Sequence, residues 1–173
     1  GIGTDNVEIF LTEIDALVNL DLKTREPKSR KKKLKIVRIG TSGALQEDIP
    51  LGSHLFSNYA VGLDNLMQFY ELPMDDFENK IAADIQNKTS LPFKPYVVSC
   101  SETLKEQIGF DMISGNTVTT PGFYAPQGRV VRAQNKLPKL LDELNYYHNK
   151  SNDFWLTNFE METAGYYAMG RLL

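Results

Sequence analysis

The sequence predicts an α/β fold, a sandwich of helices around a mixed central β-sheet. Segments with apolar residues at helical spacing follow segments with continuous or alternating apolar residues. Turn-forming clusters separate them, most clearly Glu26-Pro27-Lys28-Ser29 and the Gly- and Pro-containing stretch Pro121–Arg132. At 173 residues the chain is about one domain long, enough to bury most of a core.

In chain order, Thr4 or Asp5 can cap a first helix, and Asp5-x-x-Glu8 has the form of a capping box. Val7, Leu11, Ile14, Leu17 and Val18 then recur at helical spacing. Asn19–Lys23 alternates like a strand, and Leu34–Gly40 reads as a second, more apolar one. Arg30-Lys31-Lys32-Lys33 between them reads as a solvated hairpin tip rather than an anion patch, because the chain as a whole is acidic. Leu51–Ala60 predicts a strand, Asp75–Asn87 a helix, Pro95–Ser101 a strand, Thr103–Ile108 a short helix and Ile113–Thr120 a strand. Leu137–Tyr147 is amphipathic, with Leu140, Leu141, Leu144 and Tyr147 on one side. Thr157-Asn158-Phe159 suits a buried strand end, and Thr163–Leu173, rich in Ala, Met and Leu, predicts a final helix. The chain opens on Gly1-Ile2-Gly3-Thr4 and stops inside that helix without a C-cap. Residues 1–173 therefore read as a single α/β domain that is an interior portion of a larger one.

Composition removes several function classes. A net charge of −3 argues against a general nucleic-acid binder, and no apolar run approaches the roughly 20 residues that span a bilayer. The lone Cys100 cannot form an internal disulfide and suits a reducing cytoplasm. Cys100 reads as a small core residue, and His54 and His148 as structural, because neither histidine sits in a metal-ligand cluster or a nucleophile triad. Trp155 reads as packing, and Tyr166-Tyr167 as core or interface.

Three segments carry chemistry. Phe159-Glu160-Met161-Glu162 places two carboxylates where a strand gives way to a helix, the edge at which open α/β sheets keep their ligands. A carboxylate there can accept from both hydroxyls of a cis-diol; equally, acids are favoured at any helix start by the macrodipole. Arg38-Ile39-Gly40-Thr41-Ser42-Gly43 offers a guanidinium, two hydroxyls and glycines that allow close backbone approach, the parts of a phosphate cradle without the spacing of a Walker loop. A structural Arg38 paired with a core acid is the competing reading. Gly122–Arg129 brings together an aromatic ring (Phe123), a carboxamide (Gln127) and a guanidinium (Arg129), suited to a flat heterocycle with an imide edge, or to covering the core.

In this order the three motifs resemble those of the nucleoside phosphorylase family, uridine phosphorylase type. Phe123-Tyr124-x-x-Gln127-x-Arg129 is the most specific, since it separates uridine-type from purine-type members, and Gly1-Ile2-Gly3 resembles a family turn that precedes a helix. The chain departs from the family in lacking a Gly-Asp-Pro-x-Arg phosphate motif and in carrying Ser42 where Thr is common.

The resemblance implies a three-layer, nucleoside phosphorylase-like sandwich. It implies phosphorolysis of uridine to uracil and ribose 1-phosphate, with Arg38, Arg129 and Glu162 at the reacting centre. Arg38 and Thr41 would hold phosphate; Phe123, Gln127 and Arg129 the base; Thr41, Glu160, Met161 and Glu162 the ribose. It further implies a nucleoside and inorganic phosphate as partners, no cofactor and no metal, no nucleic acid or membrane, a homodimer or homohexamer, and a cytoplasmic setting. The alternatives are a nucleosidase, a purine-type phosphorylase and a non-catalytic nucleoside-binding module.

Overall fold

The computed structural model describes residues 1–173. Helix α1 spans Thr4–Asn19. Its N-cap is Gly3 at φ 93°, a left-handed conformation that a side chain would strain. Thr4 and Asp5 therefore lie inside the helix, and the expected side-chain cap and Asp5–Glu8 box do not form. Val7 and Leu11 are buried, but the inward stripe does not extend to Leu17, which is 63% exposed.

The next segment corrects two expectations. Asn19–Lys23 is not a strand: a lone bridge between Leu20 and Pro27 closes a turn in which the Asp21 carboxylate accepts from the Lys23 and Thr24 N–H groups. Arg30–Lys33 follows that turn and does not form its tip. Leu34–Gly40 is not a strand either, because no neighbouring strand pairs with it, and Leu34, Ile36, Val37 and Ile39 stay exposed. Strand β1 is confined to Gly43–Ala44.

From there the elements follow the sequence closely. They are β2 (Leu55–Gly62), α2 (Asp76–Lys88), β3 (Tyr96–Ser99), α3 (Glu102–Ile108) and β4 (Ile113–Thr119). Then come α4 (Leu140–Asn145), the short hairpin β5 (His148–Asn149) and β6 (Phe154–Trp155), β7 (Asn158–Glu160) and α5 (Thr163–Leu172). Helix α4 is shorter than its amphipathic pattern, although Leu140, Leu144 and Tyr147 are buried as the pattern requires.

The central sheet has the order β1-β7-β4-β2-β3. Strands β7, β4 and β2 run parallel, while edge strands β1 and β3 are antiparallel to their neighbours. The sheet is therefore mixed, as expected. Val61, Val97 and Val118 face one core with Ile81, Ile85, Leu140 and Leu144. Ala60 and Val98, one residue out of phase, face a second core with Val7 and Leu11 of α1 and Ala164, Ala168 and Met169 of α5. Helices α2 and α4 cover one face and α1 and α5 the other, which gives the three-layer sandwich. No helix is long and apolar enough to cross a membrane.

Candidate nucleoside site

Thr119 and Glu160 are register partners at the carboxyl ends of the parallel strands β4 and β7. The loop after β4 carries Phe123, Gln127 and Arg129, and the turn after β7 carries Met161 and Glu162. Pairing of Gly43 with Phe159 brings the 38–42 segment to the same edge, and the start of α1 arrives beside them. An open cleft of about 1030 Å³ results. All eight expected site residues line it: Arg38 and Thr41, Phe123, Gln127 and Arg129, and Glu160, Met161 and Glu162. A second cavity, about 530 Å³ between Lys88, Lys139, Tyr146 and His148, contains none of them.

Arg38 is a quarter exposed and is paired with acids. Its Nη1 lies 3.0 Å from Glu160, and its Nη2 donates to Glu162. The core-acid partner weighed from the sequence is thus present, and the acid is the very pair expected to meet the sugar. Two carboxylates around one guanidinium leave this corner formally negative.

Glu160 is 6% exposed and heavily engaged. It accepts from the Thr119 hydroxyl at 2.7 Å and from the backbone N–H groups of Glu162 and Thr163 at 2.8 to 3.0 Å. With Arg38 added, its oxygens have no acceptor capacity left for a ribose hydroxyl. Glu160 works as an anchor that fastens the start of α5 to β4, where the helix N–H groups favour an anion. Glu162 is freer. Its Oε1 accepts from the Gly3 N–H at 2.8 Å and its Oε2 from Arg38, which leaves one lone pair on each oxygen. That is the arrangement a diol needs.

On the opposite side, Gln127 is buried and Arg129 half-buried. The Gln127 Nε2 donates to the Thr120 hydroxyl at 2.9 Å, and its Oε1 accepts from Arg129. The Arg129 guanidinium also donates to the Phe123 carbonyl and stacks 3.9 Å from the Phe123 ring centroid. One ring face of Phe123 is thereby occupied, and the ring remains 50% exposed. Thr41 is exposed, and its neighbour Ser42 accepts from the Asn158 carboxamide, which ties the 38–42 segment to β7.

Sequence reasoning did not single out Gly3, Thr119 or Thr120 as site-building groups. A Thr-Thr pair at a strand end followed by Pro-Gly was the available signal. His54, Cys100, His148 and Trp155, read as structural, stay outside the cleft. His148 stacks on Trp155 at 3.7 Å, so Trp155 packs, but at the surface. Cys100 is half-buried rather than core, and burial first, then the Glu102 carboxylate, pushes its thiol pKa up, away from a nucleophile's. Tyr166 lines the cleft, while Tyr167 donates to the Ser57 carbonyl at 2.7 Å.

Comparison with known proteins places this geometry. The solved Trypanosoma brucei nucleoside phosphorylase, reported to show uridine phosphorylase activity, is 25% identical with a TM-score of 0.82. It aligns over 99% of this chain and 64% of its own, so the chain spans less than two thirds of that protein. The Schistosoma mansoni uridine phosphorylase in complex with thymine shares the fold at 18% identity and TM-score 0.55, over 98% of this chain and 53% of its own. A Helicobacter pylori futalosine hydrolase mutant shares it at 16% identity and TM-score 0.50, over 97% and 60%. No curated protein matches in sequence. A family model described as the phosphorylase superfamily matches residues 1–173, from end to end. The chain belongs to the phosphorylase superfamily, with a nucleoside phosphorylase-like fold.

Proposed function

We propose that the protein catalyses phosphorolysis of pyrimidine nucleosides, uridine first among them: uridine and phosphate give uracil and ribose 1-phosphate. The observation that carries this is the meeting of the Gln127–Arg129 pair, Glu162 and Arg38 around one cleft. These supply a clamp for an imide-bearing ring, a diol acceptor and an anion-binding guanidinium, the three groups a nucleoside and a phosphate call for.

In this reading the C1′–N1 bond breaks through an oxocarbenium-like state, as in other glycosyl transfers. Its electron pair leaves with the uracil, where Arg129 and Gln127 stabilise negative charge spread to the carbonyls. A phosphate oxygen, held by Arg38 and Thr41, forms the new bond to C1′. Glu162 and Met161 fix the ribose so that C1′ faces that phosphate, a proximity effect of several kcal/mol. Phosphate is already anionic, so the reaction needs no general base, and inorganic phosphate as co-substrate stands where a cofactor would. Glu160 contributes by holding Arg38 and the α5 start, not by touching the sugar. A cytoplasmic homodimer or homohexamer engaged in nucleoside salvage completes the proposal.

One observation favours a second reading. Arg38 is already matched by two carboxylates, which weakens its pull on phosphate. A hydrolase that uses water in its place would tolerate that arrangement. Uracil release from uridine by the whole protein, measured with and without phosphate, separates the two. Strict phosphate dependence supports phosphorolysis, and release at full rate in its absence establishes hydrolysis.

A further inference from the structure

We infer that Thr120 is a specificity-positioning residue: its hydroxyl locks the Gln127 carboxamide in the single orientation that suits an imide edge. The inference rests on the reading of this cleft as a nucleobase site. Thr120 follows β4 directly, is 1% exposed, and donates its backbone N–H to the Glu160 carbonyl at 2.9 Å. Its hydroxyl has one proton, and two carbonyls stand ready for it, Gly122 at 3.1 Å and Glu160 at 3.3 Å. Carbonyls only accept, so that proton is committed, and towards Gln127 the Thr120 oxygen can act only as an acceptor. The Gln127 atom facing it at 2.9 Å must therefore be the amide nitrogen.

The other end of the amide demands the same orientation. Arg129 only donates, so the atom it meets must be Oε1. A flipped amide would set donor against donor at Arg129 and lone pair against lone pair at Thr120. Gln127 is 5% exposed and has no room to evade the choice through water. After these bonds it retains one N–H and one lone pair for a ligand. An imide N–H beside a carbonyl matches that pair. Cytosine does not: its ring nitrogen accepts where the imide donates, and so meets the remaining lone pair with its own. Thr120, which need not touch the ligand, thus fixes which base edge the site reads, while the same residue's backbone is tied to Glu160 of the ribose side.

The test uses the whole protein and its Thr120→Val and Thr120→Ser variants, with uracil and cytosine binding followed by calorimetry. Thr120→Val should weaken uracil about tenfold and narrow the uracil-to-cytosine preference by a similar factor, whereas Thr120→Ser should stay within about twofold of the parent. An unchanged preference in Thr120→Val overturns the inference. The Gln127 side-chain amide resonances provide a readout that needs no ligand. Two resolved, solvent-protected signals are expected in the parent and in Thr120→Ser, and exchange-broadened or merged ones in Thr120→Val. Signals unaltered by Thr120→Val overturn the inference even if the parent binds neither base, a result that would independently defeat the pyrimidine reading. If Thr120→Val fails to fold, Thr120→Ala takes its place in both measurements.

Discussion

The Arg38 Nη1 lies 3.0 Å from the Glu160 carboxylate, and Glu160 in turn holds the first N–H groups of α5. Through this contact the 38–42 segment and the Met161–Glu162 turn are one mechanical unit. Arg38→Ala would remove the cation and leave two carboxylates facing each other at the start of α5. Stability should fall by roughly 2 kcal/mol, since the ion pair is buried on the acid side and partly solvated on the arginine side. The sharper outcome concerns phosphate. Saturating phosphate should raise the midpoint of thermal unfolding of the parent, and that protection should vanish in Arg38→Ala. Protection that survives the substitution would place phosphate elsewhere.

Glu162 is the carboxylate with spare acceptor capacity, so it is the one whose charge should matter to the sugar. Glu162→Gln keeps the shape and an acceptor for Gly3 but turns one oxygen into a donor. The loss in kcat/KM should be greater on ribosides than on 2′-deoxyribosides, because only ribosides offer the 2′-hydroxyl. Equal losses on uridine and 2′-deoxyuridine would count against a direct contact there.

The sheet and its flanking helices were legible because their signals are local and redundant. Tyr96–Ser99 is a short apolar run bounded by turn residues, Ile113–Thr119 is rich in β-branched residues, and Asp76–Lys88 carries a helical stripe. Leu34–Gly40 misled because its apolar pattern is that of a strand, whereas a strand also needs a partner, and none lies beside it. At the candidate site, the residue types were readable and their loads were not. Glu160 and Glu162 are indistinguishable in sequence, yet one is consumed by four donors and the other keeps free lone pairs. That distinction depends on Thr119, Thr163 and Gly3, two of them more than 40 positions away from Glu160 or Glu162 in the chain.

Arg129 both orients Gln127 and stacks on Phe123, so it holds these three side chains together before any ligand arrives. In the proposed reaction its charge would act on the leaving group only as the glycosidic bond breaks. Arg129→Ala should therefore lower kcat on uridine by about a hundredfold, in the range found when one donor to a developing anion is removed. A nucleoside whose leaving group is already a good one should suffer much less. An unchanged kcat on uridine would remove Arg129 from this role.

Far from the cleft, Glu78 is fully buried, and Arg171 near the end of α5 grips it with two bonds of 2.6 and 2.7 Å. The Asp75 and Ser99 N–H groups donate to the same carboxylate, so one acid joins α2, β3 and α5. Burial alone would raise the pKa of Glu78, but the Arg171 hydrogen bonds followed by those two backbone donors outweigh it and hold the acid below the usual glutamate range. A group depressed on folding contributes stability that is complete above its unfolded pKa and is lost as pH falls through its folded one. Asp84, lowered against its own burial by Lys88, Tyr147 and Asn149, acts with the same sign. Unfolding free energy should therefore hold steady near neutrality and decline on the acid side, below about pH 4.3. Glu78→Gln should cost about 3 kcal/mol at neutral pH, because it leaves Arg171 without its counter-charge. It should also flatten the acid slope, leaving the share due to Asp84 and other acids. Urea titrations across the acid range decide this: a slope as steep in Glu78→Gln as in the parent would show that the acid sensitivity arises elsewhere.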